Sequence, residues 1–362
     1  MRIGFETSSL ITDEPAGIAR YATQLIPAIL KELSPPRDVT LFYKASKLKY
    51  RNHWWRLAEA KTRIYHARYW PVRKGLDVFH GVDAFVPNWK GIRKIITIHD
   101  LVTMKLVGDH IASEKFRARK KEALERVRDY VDAVVAVSET TRQDVINLLG
   151  IHPDRVHLTH PGVDQAYVPQ DRDAIERVLG KYAITGEYLV FVGSVSGRKN
   201  TARLVDAFAQ SQASRSLSLV LAGSISYRGE DTLQAISRNR LRERVRVLDY
   251  VVAGDLPALY SGSRGLVFPT LYEGFGLPIV EAMACGAPVL TGKTGAAPEV
   301  SGGCALLVDP YDTNDIAQGI DRLLESPPCE RDRAIEHARG FTWRRCAQRT
   351  LGVYDRIVAG GL

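Results

Sequence analysis

Apolar residues in this chain alternate between short solid runs and stripes with helical spacing. RIGFE (residues 2–6), Val39 to Tyr43, Val78-Phe79-His80-Gly81 and Ile95-Ile96-Thr97-Ile98 read as strands, the last two buried in a parallel sheet with helices on both faces. Ile18, Tyr21, Leu25, Ile29 and Leu33 mark one face of a helix that begins at Gly17. A basic helix is expected from Lys115 to Tyr130, then a strand over Asp132 to Ser138 and a helix over Glu139 to Leu149. Val156 to Asp164 closes a first domain, and the polar stretch from Gln165 to Asp173 reads as its linker. A second series follows: strand Tyr188 to Val192, helix Thr201 to Gln210, and strands Leu217 to Gly223 and Val245 to Tyr250. Trp343, Ala347, Leu351 and Tyr354 line one face of a last helix within Phe341 to Val358. Strand–helix alternation over 362 residues predicts an α/β chain of two domains, divided at 1–168 and 169–341 with a helical tail over 342–362.

The densest stretch is Phe268 to Gly286, FPTLYEGFGLPIVEAMACG. Leu266 to Phe268 reads as the end of a buried strand, Thr270 to Gly276 as a glycine loop, and Pro278 as the opening of a helix that Gly286 closes. A strand, a glycine loop and a helix start aim backbone N–H groups at an anion. Glu273 lies in the loop and Glu281 in what reads as the first helical turn. Taken singly, the first is a solvated loop acid and the second offsets the helix dipole. The pair around EGFGLP points instead to a built site.

Two further glycine loops precede helices. GSVSGRKN (Gly193 to Asn200) sets Arg198 and Lys199 just before the helix at Thr201, as solvated charge or as a phosphate clamp. Gly17, in PAGIARY, stands at a plainer strand–loop–helix junction. His99 follows the strand 95–98, at the carboxyl edge where parallel sheets bind ligands; a lone histidine there is more often structural. Asp171-Arg172-Asp173 spells a D-x-D metal motif, but it precedes a helix in a polar segment and reads as an N-cap, so no metal is assigned.

Composition is that of an ordinary soluble chain, 45% hydrophobic and 25% charged. No apolar run is long enough to cross a bilayer, and the N-terminus reads as a strand rather than a signal peptide. Cys285, Cys304, Cys329 and Cys346 form no metal spacing and read as reduced, mostly buried thiols of a cytoplasmic protein. The net charge of +9 is uneven: residues 1–168 hold 27 Lys and Arg against 19 Asp and Glu, the remainder 23 against 22. The first half therefore asks for an anionic partner. Within it, Lys47 to Lys74 interleaves basic residues with Trp54, Trp55 and Trp70. That segment is either a solvated basic helix pair with its tryptophans packed inward or an interfacial surface for anionic lipid. No nucleic-acid module frames it.

Glu273 and Glu281 match the E-x7-E signature of retaining glycosyltransferases of family 4, and PVLTGKTGAAPEVSGGCALLVDP (Pro288 to Pro310) resembles that family's continuation. The resemblance covers almost the whole chain, densely from 188 to 310. It implies the GT-B fold, two Rossmann-like domains with parallel sheets facing a central cleft, and a C-terminal helix crossing back to the first domain. It also implies a nucleotide-sugar donor held without a metal or other cofactor. Arg198 and Lys199 would meet the diphosphate, Glu273 the sugar, His99 the sugar from the other domain, and Glu281 the ribose. Gly17, Gly274, Phe275, Gly276 and Leu277 would shape the donor site, and Tyr250 and Val251 would touch the base. This chain departs from the commoner pattern at Ser194, where an arginine often stands, and at the single Gly17.

The variant with EGFGLP and RKN resembles bacterial mannosyltransferases of surface-polysaccharide synthesis. The expected donor is GDP-mannose, with UDP-sugars next. The expected acceptor is a lipid-diphosphate-linked or oligosaccharide glycan, at the cytoplasmic face of the membrane. A sugar-nucleotide epimerase or phosphorylase of the same fold, and a non-catalytic nucleotide-binding partner, are the other readings.

Overall fold

A computed structural model describes residues 1–11, 17–34, 38–53, 55, 57–66, 75–106, 108, 112–325 and 328–360. The chain divides into two compact units: residues 1–104, 115–162 and 342–362, and residues 105–114 and 163–341.

The first unit is built on a seven-stranded parallel sheet. In chain order its elements are β1 (Arg2–Glu6), α1 (Gly17–Glu32), β2 (Asp38–Lys44), β3 (Lys61–Tyr65), β4 (Val78–Gly81), β5 (Arg93–Ile98), α2 (Val102–Lys105), α3 (Glu114–Arg128), β6 (Ala133–Ala136), α4 (Glu139–Leu149) and β7 (Val156–Leu158). Their order across the sheet is β3-β2-β1-β4-β5-β6-β7. The strand order reverses between β1 and β4, and such a reversal opens a crevice at the carboxyl ends. Strands β4 and β6 are buried throughout, as solid apolar runs predict for a sheet covered on both faces.

The second unit repeats this plan. After α5 (Arg172–Lys181) come β8 (Tyr188–Val192), α6 (Thr201–Gln210), β9 (Ser218–Ala222), α7 (Glu230–Arg238), β10 (Val245–Val247), α8 (Leu256–Ser261), β11 (Leu266–Phe268), α9 (Leu277–Ala284), β12 (Val289–Gly292), α10 (Ala297–Ser301), β13 (Leu306–Val308), α11 (Thr313–Leu324) and α12 (Pro328–Arg339). The sheet order β10-β9-β8-β11-β12-β13 reverses between β8 and β11. The last helix, α13 (Trp343–Val358), belongs to the first unit and packs along α1.

The basic, tryptophan-rich segment departs from the helix-pair expectation. Ala45–His53 is a 3-10 turn, and Lys61–Tyr65 is the edge strand β3, paired in parallel with β2. The edge of β2 templates the pairing of β3, and exposed Lys61 and Arg63 guard the new edge against further pairing. Trp55 is half-buried; Trp54 and Trp70 lie outside the described residues. Asp171 is an N-cap, its carboxylate accepting the Ala174 N–H at 2.8 Å. Cys285 and Cys346 are buried free thiols and Cys304 is half-buried, while the Cys329 side chain lies outside the described residues. Among the described residues no helix is long and apolar enough to cross a membrane.

Candidate active site

The crevice of the second unit gathers most of the candidate residues. The loop after β8 and the loop after β11 flank the strand reversal, so their side chains converge although the sequence separates them widely. Lys199 Nζ lies 2.8 Å from Glu273 Oε1, and Arg198 Nη1 lies 3.7 Å from the same oxygen. Lys199 and Glu273 are both 8% exposed, so the pair sits where water screens it poorly. One carboxylate oxygen thus holds two cations in place at the crevice.

Backbone geometry fixes both loops. Gly223 runs so close to the first loop that a Cβ on it would stand 2.0 Å from the Gly193 carbonyl oxygen. Asn200 takes the left-handed conformation, φ 62°, just ahead of α6. Its amide donates to the carbonyls of Pro269 at 2.9 Å and Pro310 at 2.6 Å, tying the first loop to the ends of β11 and β13. On the other side, the Ala296 N–H donates to the Glu273 carbonyl at 2.9 Å. Gly295, at φ 61°, packs so tightly there that a Cβ would lie 2.7 Å from that oxygen.

Gly276 precedes α9 with φ 89°, a conformation that favours glycine. The donors at this helix start are fewer than the pattern suggests. Pro278 has no N–H and the Ile279 N–H donates to the Gly276 carbonyl at 2.9 Å, which leaves Leu277 as the first-turn amide without a helical acceptor. Phe275 is buried, its ring edge-on to Phe341 at 5.6 Å. Gly274 and Leu277 complete the same loop and helix start.

Glu281 corrects one expectation. It is the fifth residue of α9 rather than a first-turn acid, and it is 2% exposed, so it does not serve as a surface counter-charge to the dipole. The Tyr260 hydroxyl of α8 donates to its Oε2 at 3.2 Å. Tyr250 and Val251 follow β10, which ends three residues earlier than expected; Val251 is buried and Tyr250 half-buried. Asp249, beside them, is left-handed at φ 53° and bridges to Gly223.

His99 and Gly17 belong to the first unit. Gly17 opens α1 at φ 30°, and a Cβ there would meet nothing within 4 Å. The rest of the PAGIARY loop before it lies outside the described residues. His99 follows β5, and its Nε2–H donates to the Val82 carbonyl at 2.8 Å. That bond leaves Nδ1 as the ring's acceptor. Burial holds the His99 imidazole below its ordinary range, so the ring stays neutral near pH 7.

Sequence reasoning missed Asn200, Tyr260, Gly295 and Ala296, which hold the site without facing any recognisable ligand group. Only the tight glycine pattern of TGKTGAAPE hints at the last two. Among the described residues, no three His, Cys, Asp or Glu side chains gather as metal ligands.

Two doubly wound parallel-sheet halves, with cations and acids at the carboxyl edge of the second, are the architecture of GT-B glycosyltransferases. Sucrose-phosphate synthase from Thermosynechococcus elongatus has the same fold over 99% of this chain and 100% of its own, at a TM-score of 0.79 and 20% identity. Residues 11–167 match the family pattern "Glycosyltransferase Family 4", and residues 173–341 match "Glycosyl transferases group 1". The chain belongs to glycosyltransferase family 4. "O-antigen chain mannosyltransferase B" of Escherichia coli is 28% identical over 94% of this chain and 96% of its own length. "Serotype-specific mannosyltransferase WbdA" of Escherichia coli is 26% identical over 75% of this chain, which spans only 34% of that protein.

Proposed function

We propose that this glycosyltransferase moves mannose from GDP-mannose, with retention, onto a lipid-linked or oligosaccharide acceptor of bacterial polysaccharide synthesis. The Arg198–Lys199–Glu273 cluster carries the mechanistic part of this reading. Breaking a sugar–phosphate bond builds charge on the departing diphosphate. Two fixed cations in a crevice of low dielectric lower that barrier most when they need no reorganisation. Lys199 and Arg198 take the diphosphate, and Glu273 turns to the sugar hydroxyls and the developing positive charge at the anomeric carbon. Glu281, oriented by Tyr260, accepts from the ribose hydroxyls. Tyr250 and Val251 meet the base, and Gly17 and the EGFGL loop let backbone approach the donor. His99, with Nδ1 as its acceptor, takes a hydrogen bond from a sugar hydroxyl. The leaving phosphate itself assists front-face attack, and no metal ion takes part.

Mannose as the sugar rests on the relatives: the E. coli protein alignable over nearly the whole of both chains is a mannosyltransferase by name. On this reading residues 1–168 hold the acceptor and 169–341 the donor. The basic first half, including exposed Lys115, Arg119, Lys121 and Arg126 of α3, faces an anionic membrane surface from the cytoplasmic side. The test is a screen of GDP- and UDP-sugars with lipid-diphosphate-linked acceptors, in chelator, reading nucleotide release and product mass. GDP release from GDP-mannose alone supports the reading. Turnover of UDP-sugars instead replaces the donor, and turnover that requires added manganese replaces the charge mechanism.

A further inference from the structure

A circuit of buried hydrogen bonds in the first unit runs from α13 through two strands to α1. The Tyr354 hydroxyl lies 2.5 Å from His80 Nδ1 on β4. His80 Nε2 lies 2.9 Å from Thr97 Oγ1 on β5. Thr97 Oγ1 lies 3.3 Å from the Tyr21 hydroxyl on α1, and the Cys346 thiol, two turns before Tyr354, acts on the titration of that hydroxyl. None of these five side chains is more than 1% exposed.

The circuit has one polarity. Burial lowers His80 to about 3, so its ring is neutral, with one donor and one acceptor nitrogen. Among the described residues Nδ1 is the acceptor within reach of the Tyr354 O–H. The His80 Nε2–H then donates to Thr97 and the Thr97 O–H to Tyr21, which leaves the Tyr21 O–H for the Cys346 side of the ring. The reverse order would strand the Tyr354 hydroxyl hydrogen in the core at considerable cost.

Tyr21 is where the circuit meets the candidate site. Its ring stands edge-on to His99 at 4.8 Å and 87°, and Trp343, the first residue of α13, packs edge-on to the same ring at 5.7 Å. The Val82 carbonyl and the Tyr21 ring together fix the His99 plane and hence the direction of its Nδ1 lone pair.

We propose that Tyr21 is a positioning residue for His99, and that Tyr354 and Cys346 of the C-terminal helix act on His99 through it. The proposal rests on the reading that His99 meets the donor sugar. Asp83 and Asp100 act to raise the His99 pKa, Lys120 of α3 acts to lower it, and neutral His80 adds no charge; desolvation outweighs them all. A Tyr21 ring that has lost its hydroxyl anchors lets water reach His99.

The test compares Tyr354→Phe, Tyr21→Phe, Cys346→Ala and Cys346→Ser with the parent. The readouts are kcat and KM for the sugar donor, Kd for GDP, and the His99 titration followed by NMR, its resonance assigned by loss in His99→Gln. Tyr354→Phe and Tyr21→Phe each remove at least one buried hydrogen bond and are expected to lower kcat roughly three- to tenfold. GDP affinity should stay unchanged and the His99 titration should move up toward the ordinary histidine range. Cys346→Ala should follow them, and Cys346→Ser, which keeps a polar partner, should restore parent behaviour. Parent-like kcat and titration, with only a lower melting temperature, would overturn the proposal, as would identical effects of Cys346→Ala and Cys346→Ser. If the parent turns over no sugar nucleotide, the transferase reading fails, and the NMR arm still decides whether the circuit sets His99.

Discussion

The Lys199 ammonium stands 2.8 Å from the Glu273 carboxylate, seventy-four residues further along the chain, with both groups nearly closed off from water. Each loop leaves a central strand on opposite sides of the point where the sheet order reverses, so the contact follows from topology rather than from local sequence. On the proposed reading, a donor diphosphate would compete with Glu273 for this ammonium.

Removing either partner should therefore separate catalysis from folding. Lys199→Ala and Glu273→Gln are expected to cut nucleotide release by about a hundredfold or more, the usual cost of losing a fixed transition-state charge. Circular dichroism should remain that of the parent. Near-parent turnover by either variant would remove these residues from the mechanism.

Glu281 and Tyr260 form the second pair in the crevice. Tyr260→Phe deletes one hydrogen bond to Glu281 Oε2 and should raise the donor KM roughly two- to tenfold at constant kcat. Glu281→Ala should raise KM further. A fall in kcat at unchanged KM would point away from ribose binding.

Gly295 buttresses Glu273 from behind. Gly295→Ala places a methyl group 2.7 Å from the Glu273 carbonyl oxygen at a left-handed φ. The expected result is a loss of about 1–3 kcal/mol in urea unfolding together with reduced turnover. Gly180→Ala, on an open helix face where nothing lies within 4 Å, is the matched control and should be neutral or slightly stabilising.

Acid should weaken the first unit through His80. Its folded pKa of about 3 lies below the ordinary value near 6.5, so between those limits the unfolded chain binds a proton that the native chain does not. Stability is whole above the unfolded value and falls as pH drops toward 3, by roughly 1.4 kcal/mol per pH unit for this one group. Lowered His99 and His157 act in the same direction. Urea midpoints at pH 7.5, 6 and 5 should show the slope, and His80→Gln should flatten it by about one proton. An unchanged slope in that variant would contradict the assignment.

The alternation of solid apolar runs and amphipathic stripes was enough to delimit α4 and α6 to the residue, and Asp171 betrayed its capping role by standing before a helix. The edge strand β3 was not legible, because KTRIY is stabilised by the open side of β2 and carries charged residues where a covered strand carries apolar ones. Glu281 falls just past the first turn rather than within it, because α9 starts one residue before Pro278, which takes its second position.

By itself, the chain's order of residues determined the α/β class, the basic first half, and the places where glycine loops and acids precede helices, because hydrophobic period, turn chemistry and charge are local properties. Tertiary structure alone decided that Lys199 and Arg198 share one oxygen of Glu273, that Tyr260 holds Glu281, and that Trp343 of α13 and His99 pack against the same Tyr21 ring. Those relationships depend on strand order and on the depth at which each group is removed from water, and neither quantity is written in any short stretch of sequence.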